Sequence, residues 1–383
     1  MTARRVLLYV QHLLGIGHPR RAAAIARALC AEGADVTFVS GGFPVPDLDI
    51  GPSRMVQLPP ARAEDVSYRA LVGENGERVG DAWRSRRRLM LLEALDAASP
   101  ECVVLESYPF GRRLLRFELE PLLEAIPAGV RLMSSVRDVL EPRSDPIRYE
   151  DMARAVERHF DTVLVHSDPG WIPLDRTFPI ASRIRERLRY TGFVTSGAHP
   201  GDAEQAEGGD EVIVSAGGGI VGRDLLDAAL GARGSSRNGD AAWRVLVGPD
   251  VPERAFDELA AAAPAGVAVE RNRPDFPAML RRCRASVSQA GYNTMVDVLA
   301  SGAPAVVVPF ADGGEREQTL RAGLLAERGV VEVIEAGSLS PGRLARAVDA
   351  AVEAGRRPYP VVDLDGARRS AGIVLRDDPG IPA

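Results

Sequence analysis

Short β-branched runs alternate with longer segments of helical period from the first residues onward, the rhythm of parallel sheets covered by helices on both faces. In the first half, strands are predicted over Arg5 to Val10, Asp35 to Ser40, Met55 to Leu58, Cys102 to Glu106, Arg131 to Ser135 and Thr162 to His166. Helices fit between them. Ala22 to Glu32 is Ala-rich and stops at Gly33, and Gly111 to Ala125 carries its apolar residues at Leu114, Leu115, Leu119, Leu122 and Leu123. The rhythm restarts with Glu211 to Ser215, Trp243 to Val247, Val267 to Val269, Ala285 to Ser288, Ala305 to Val308 and Val331 to Ile334. Between the halves, the polar, Gly- and acid-rich stretch ending at Asp210 has no apolar period and reads as a linker. The pattern predicts an α/β chain with two doubly wound domains: residues 1–195, a linker at 196–210, residues 211–358, and an irregular tail at 359–383.

A length of 383 residues with 45% hydrophobic content supports two separate cores, and two cores imply a cleft between them. A formal charge of −6 gives no reason to expect nucleic acid as a partner. The longest apolar runs fall far short of the ~20 residues of a bilayer span, and Gln11 and His12 interrupt the first one, so a cytoplasmic protein is expected. Cys30, Cys102 and Cys283 have no C-x-x-C spacing and suggest neither disulfides nor a metal site. All 47 basic residues are Arg, which excludes Schiff-base chemistry on the protein and a P-loop lysine.

Ligands of open parallel sheets bind beyond the carboxyl ends of the strands, so the segments after each strand carry the candidate chemistry. The first strand leads into Gly15-Ile16-Gly17-His18-Pro19-Arg20-Arg21, where Gly15 and Gly17 admit close backbone approach. Arg20 replaces the third glycine of a dinucleotide fingerprint, which disfavours a nicotinamide or flavin cofactor. His18, at the helix start, is placed either to take a proton from an attacking hydroxyl or simply to cap the helix. In the second half, Ser215 to Gly222 includes Gly217, Gly218 and Gly219 before a helix, a turn that suits a diphosphate but also closes βα units that bind nothing. Two further segments follow strands and open helices: Ser288 to Asp297, with Gly291, Asn293, Thr294 and Asp297, and Pro309 to Gln318, with Gly314, Glu317 and Gln318. A carboxylate on a ribose diol and an acid-amide pair on sugar hydroxyls are sensible uses, with helix capping and solvated charge as the alternative.

These segments, above all Arg273 to Gly329, resemble the MurG-type glycosyltransferases of family 28, and most closely their predicted relatives bearing S-x-A-G-Y-N-T. The resemblance implies the GT-B fold, two Rossmann-like domains facing each other across a cleft, with a tail crossing back onto the first domain. It also implies an inverting, metal-independent transfer from a nucleotide sugar, with UDP favoured, to a small-molecule hydroxyl or amine acceptor. The nucleotide sugar is a co-substrate, and no cofactor or metal is implied. On this reading Asp297 holds the ribose, Glu317 and Gln318 bind the sugar, Asn272 and Arg273 lie in the base-binding loop, and His18 is the general base. Glu106 and Asp138 follow strands of the first half and would support or replace His18, while Arg112 or Arg137 would hold an anionic acceptor, with structural ion pairs as the equal alternative. The region between Val56 and Arg84 matches nothing in the family and is expected to set acceptor specificity. The run Trp83 to Leu92 would supply an apolar and basic membrane patch, although a solvated amphipathic helix is the commoner explanation of such a run. The alternatives are a sugar-nucleotide epimerase or hydrolase of the same fold and a non-catalytic nucleotide-sugar-binding subunit.

Overall fold

The computed structural model describes residues 3–65, 68–142, 145–195, 209–217, 222–249, 251–311, 316–356 and 362–376. It divides into two units, residues 1–196 with 363–383, and residues 197–362.

The first unit opens with β1 (Arg5–Val10), α1 (Gly17–Ala31), β2 (Asp35–Ser40) and β3 (Arg54–Gln57). A hairpin of β4 (Arg62–Ala63) and β5 (Leu71–Val72) then leads into α2 (Asp81–Ala98). There follow β6 (Cys102–Glu106), α3 (Arg116–Ala125), β7 (Arg131–Arg137), α4 (Pro146–His159), β8 (Thr162–His166) and β9 (Leu188–Tyr190). The seven-stranded sheet has the order β3-β2-β1-β6-β7-β8-β9, and its described pairings are parallel. The order reverses between β1 and β6, the switch point at which doubly wound sheets bind ligands. Both faces are covered, so successive residues of β1 enter different cores: Leu7 and Tyr9 one, Val6, Leu8 and Val10 the other.

The second unit runs β10 (Val212–Ser215), α5 (Arg223–Ala232), β11 (Trp243–Val247), α6 (Glu253–Ala262), β12 (Val267–Arg271) and α7 (Phe276–Arg282). It continues with β13 (Ala285–Ser288), α8 (Tyr292–Ser301), β14 (Ala305–Val307), α9 (Glu317–Ala326), β15 (Glu332–Val333) and α10 (Pro341–Ala354). Its sheet order, β12-β11-β10-β13-β14-β15, is again doubly wound and reverses between β10 and β13. After residue 362 the chain belongs to the first unit. The Phe193 amide donates to the Asp363 carbonyl at 2.7 Å and the Gly366 amide to the Phe193 carbonyl at 3.1 Å. A Cβ at Gly366 would lie 2.6 Å from that carbonyl, so glycine is what permits the approach. The final helix, α11 (Gly366–Arg376), then packs against α1 through Ala371, Ile373 and Val374.

The run Trp83 to Leu92 lies on α2 with its apolar side chains mostly turned inward. α2 turns Arg87 and Leu91 fully inward, Trp83 packs on the core, and Leu89 is the one large apolar side chain of the run left exposed. Arg87 is buried because acceptors surround its head group: Nε donates to Glu118 Oε2 at 2.6 Å, Nη1 to the carbonyls of Gly41 and Pro59 at 2.7 Å each, and Nη2 to Gln11 Oε1 at 2.5 Å, Glu118 Oε1 at 3.0 Å and Tyr9 Oη at 3.4 Å. Tyr9 Oη completes the network by donating to Glu118 Oε1 at 2.5 Å. Removing one member of a buried pair strands the other charge. Arg87→Met is therefore expected to destabilise the chain by about 3–5 kcal/mol in urea unfolding, with much of the loss recovered by adding Glu118→Leu. A loss under about 1 kcal/mol for the single variant would show that the pair is solvated.

Candidate active site

The switch point of the first unit gathers the ends of β1 and β6. The chain leaves β1 through buried Gln11 and His12, turns at Gly15 (φ 70°) and enters α1 at Gly17, with His18 as its second residue. β6 ends at Glu106, which is 1% exposed. The two meet: His18 Nδ1 lies 2.9 Å from Glu106 Oε1 and 3.0 Å from Oε2. Arg21, one turn after His18 on the same helix face, donates from Nη2 to Glu106 Oε1, and Ser107 Oγ donates to Oε2 at 2.9 Å. Arg112 Nη2 stands 3.6 Å from Oε2.

This arrangement fixes the protonation states. Burial opposes charge on Glu106, but His18, Arg21 and Arg112 outweigh it and hold the carboxyl well below the usual carboxylate range. For His18, burial is the largest influence, and together with the charges of Arg112 and Arg137 it overcomes the attraction of Glu106, lowering the imidazole from 6.5 to about 3. Nδ1 has two neighbours, the ionised carboxylate of Glu106 at 2.9 Å, which accepts a proton, and Arg21 Nη2 at 3.2 Å, which can only donate one. The carboxylate is the nearer, and the bond to it puts the imidazole proton on Nδ1. The ring's Nε2 is left with a lone pair, the tautomer that a general base needs.

Asp138, one residue beyond β7, is 1% exposed and accepts the Val139 amide at 2.8 Å; Arg137 is half-buried at the end of β7. Sequence reasoning passed over His166, the last residue of β8. It is fully buried between Ser135 Oγ (2.8 Å from Nε2) and Thr191 Oγ1 (2.9 Å from Nδ1), and burial takes it to about 3. Arg21 was also overlooked, although its spacing of three from His18 on one helix already places both side chains on the same face.

In the second unit the corresponding switch point joins the ends of β10 and β13. β10 runs into Gly217 (φ 82°), whose amide donates to Ser215 Oγ at 3.2 Å; Gly218 and Gly219 lie outside the described residues, as does Gly314. Gly222 (φ 107°) starts α5 without a side-chain cap, and a Cβ there would fall 2.7 Å from Ala216 Cβ and 2.9 Å from Gln289 Nε2. Asn272 Nδ2 donates to the Gly217 carbonyl at 3.0 Å, tying the loop after β12 to this turn. Arg273 is engaged within the unit, bidentate with Asp275 at 2.9 Å through each nitrogen. α8 likewise opens at Gly291 with no side-chain cap, with Asn293, Thr294 and Asp297 half-buried along it. Glu317 is turned inward, 3% exposed, and pairs with Arg321 Nη2 at 2.8 Å; Arg321 Nη1 donates to the Ala290 carbonyl at 2.8 Å. Glu317 therefore braces α9 against the segment before α8. Gln318 Oε1 accepts the Phe310 amide at 3.1 Å. Among the described residues no group of three or more His, Cys, Asp or Glu side chains is placed to hold a metal ion, and no helix is long and apolar enough to cross a membrane.

Residues 271–366 match the model of the glycosyltransferase family 28 C-terminal domain. An uncharacterized glycosyltransferase of Methanosarcina mazei is 24% identical over 330 residues, 82% of each chain. A UDP-N-acetylglucosamine--N-acetylmuramyl-(pentapeptide) pyrophosphoryl-undecaprenol N-acetylglucosamine transferase of Rhodopseudomonas palustris is 27% identical over 221 residues, so the match spans 56% of that relative and 56% of this chain. Among solved structures, MurG of Acinetobacter baumannii superposes with a TM-score of 0.60 at 14% identity, covering 97% of this chain and 99% of its own. A calicheamicin glycosyltransferase gives 0.60 at 14% identity, covering 99% and 96%. At these identities the structural likeness establishes the fold.

The buried imidazoles make a prediction about acid stability. His12, lowered to about 4 by burial and then by the charge of Arg112, joins His18 and His166 in staying neutral when folded. An unfolded chain restores ordinary imidazoles, so below about pH 6.5 it binds more protons than the fold does, and stability falls as pH falls. Glu106 acts in the same direction below its unfolded pKa, because its folded carboxyl is depressed. Urea unfolding is expected to show a loss of up to ~2 kcal/mol per buried imidazole between about pH 7 and pH 5. Equal stability at the two pH values would contradict the burial of neutral histidines.

Proposed function

With the chain a MurG-like glycosyltransferase of family 28 and GT-B fold, we propose that it moves a sugar from a UDP-sugar to the hydroxyl or amine of a small acceptor, with inversion and without a metal at the reacting centre. The observation that carries this reading is the His18–Glu106 contact, which leaves Nε2 of a neutral imidazole as an acceptor at the switch point of the first unit. The acceptor oxygen attacks the anomeric carbon while the bond from that carbon to the diphosphate oxygen breaks, and the nucleoside diphosphate departs with the bonding electrons. A single displacement of this kind inverts the centre. The attacking oxygen becomes acidic only as its new bond forms, so its proton moves late, onto His18 Nε2, and Glu106 stabilises the resulting imidazolium.

The second unit would hold the donor. The starts of α5 and α8 lack side-chain caps and direct backbone N–H groups and the positive ends of the helix dipoles toward an anion, which suits a departing diphosphate. Asp297 on α8 is the proposed ribose ligand and Gln318 the proposed sugar ligand. UDP is favoured because the family 28 match falls on this unit and a relative over 56% of the chain is named for a UDP-sugar.

The test is a thermal-shift screen with UDP, dTDP, GDP and ADP, coupled to UDP release from UDP-sugars with water as surrogate acceptor. UDP at ~100 times its dissociation constant should add about 2.7 kcal/mol of stability, with little effect of the other nucleotides. His18→Gln should keep that shift while UDP release falls by roughly 10²–10⁴. Wild-type release by the variant would remove His18 as the base, and the absence of any nucleotide shift would remove the donor assignment.

A further inference from the structure

The segment from Glu106 to Arg112 bends sharply off β6. Two of its non-glycine residues, Ser107 (φ 64°) and Arg112 (φ 62°), adopt the left-handed conformation that side chains disfavour. The bend carries the Arg112 side chain into the protein, where it is 10% exposed. Its Nε and Nη2 are buried and make no hydrogen bond. Glu106, the nearest carboxylate, cannot serve: its Oε2 is 3.6 Å from Nη2, and its oxygens are already taken by His18, Arg21 and Ser107. A guanidinium held out of water with donors unmatched is costly unless a ligand supplies the acceptors. The fold adds positive charge there, since Arg137 acts electrostatically on both Arg112 and His18. Arg112 Nη2 and His18 Nδ1 approach the same Glu106 Oε2, at 3.6 Å and 3.0 Å, so the Arg112 head group lies beside the base rather than on a remote surface.

We propose that Arg112, with Arg137 in support, forms an anion subsite beside His18 that receives a carboxylate or phosphate group of the acceptor, which makes the acceptor an anionic hydroxy or amino compound. The inference rests on the glycosyl-transfer reading for the word acceptor, while the subsite itself rests on Arg112. A planar guanidinium fork matches the paired oxygens of either group and is little hydrated, so it discriminates strongly against a neutral isostere.

Calorimetric binding of benzoate, phenyl phosphate and benzamide to the full chain, with and without saturating UDP, tests this. One of the two anions should bind at least ~10-fold more tightly than benzamide, with UDP present as well as absent; which anion wins tells a carboxylate site from a phosphate site. Arg112→Gln should abolish that preference and Arg112→Lys restore part of it, with thermal unfolding confirming that both variants fold. If Arg112→Gln does not fold, the wild-type preference and its weakening in Arg112→Lys decide the question. Equal binding of all three probes by the wild type, an undiminished preference in Arg112→Gln, or loss of anion binding once UDP is bound would overturn the proposal. Should UDP fail to bind, the donor assignment falls, and the preference measured without UDP still decides the subsite.

Discussion

A carboxylate buried at the end of a central strand stays ionised only if cations and donors surround it, and the first unit is arranged around that requirement at Glu106. α1 supplies His18 and Arg21 one turn apart, and the bend after β6 supplies Ser107 and Arg112. Each partner is itself fixed by the arrangement: the carboxylate sets the tautomer of His18, and burial above all, with the charges of Arg112 and Arg137, keeps that imidazole uncharged. α11 packs against α1, so a segment distant in sequence helps hold the helix that carries the histidine. Glu106 accordingly ties together a strand end, a helix start and the proposed chemistry.

The two units use one topology for different tasks. In each, the sheet order reverses beside the first strand, and the segments after the two strands at the reversal are the ones rich in polar and glycine residues. In the first unit these segments deliver titratable side chains. In the second they deliver the glycines Gly217, Gly222 and Gly291 and the neutral side chains of Gln289, Asn293 and Thr294. The proposed division of labour, proton handling on one unit and diphosphate handling on the other, follows this difference in chemistry.

Much of the fold was legible because buried parallel strands are nearly continuous apolar runs. The predicted bounds of β1, β2, β6, β8, β11 and β13 match those observed. The misses have physical reasons. β7 runs on to Arg137 because Val136 and Arg137 pair with β8, whereas the start of α1 at Gly17 agrees with the reading of His18 and Pro19 at the opening of a helix. β9 and the β4–β5 hairpin are too short to show a period. In the site, His18, Glu106 and Arg112 were each noticeable near strand ends, but the meeting of His18 and Arg21 with Glu106 depends on contacts 88 and 85 positions apart. The burial of Arg87 was hidden for the same reason, since its partners are Tyr9 and Gln11 at the end of β1 and groups from the loops after β2 and β3 and from α3.

The central claim is that His18 is a neutral imidazole with its proton on Nδ1, and imidazole nitrogen NMR, assigned by difference against His18→Gln, tests it most directly. At about pH 6, where an ordinary histidine is largely protonated, the account predicts for His18 one pyrrole-type nitrogen at Nδ1 and one unprotonated nitrogen at Nε2. Two protonated nitrogens at that pH, or the proton on Nε2, would contradict it.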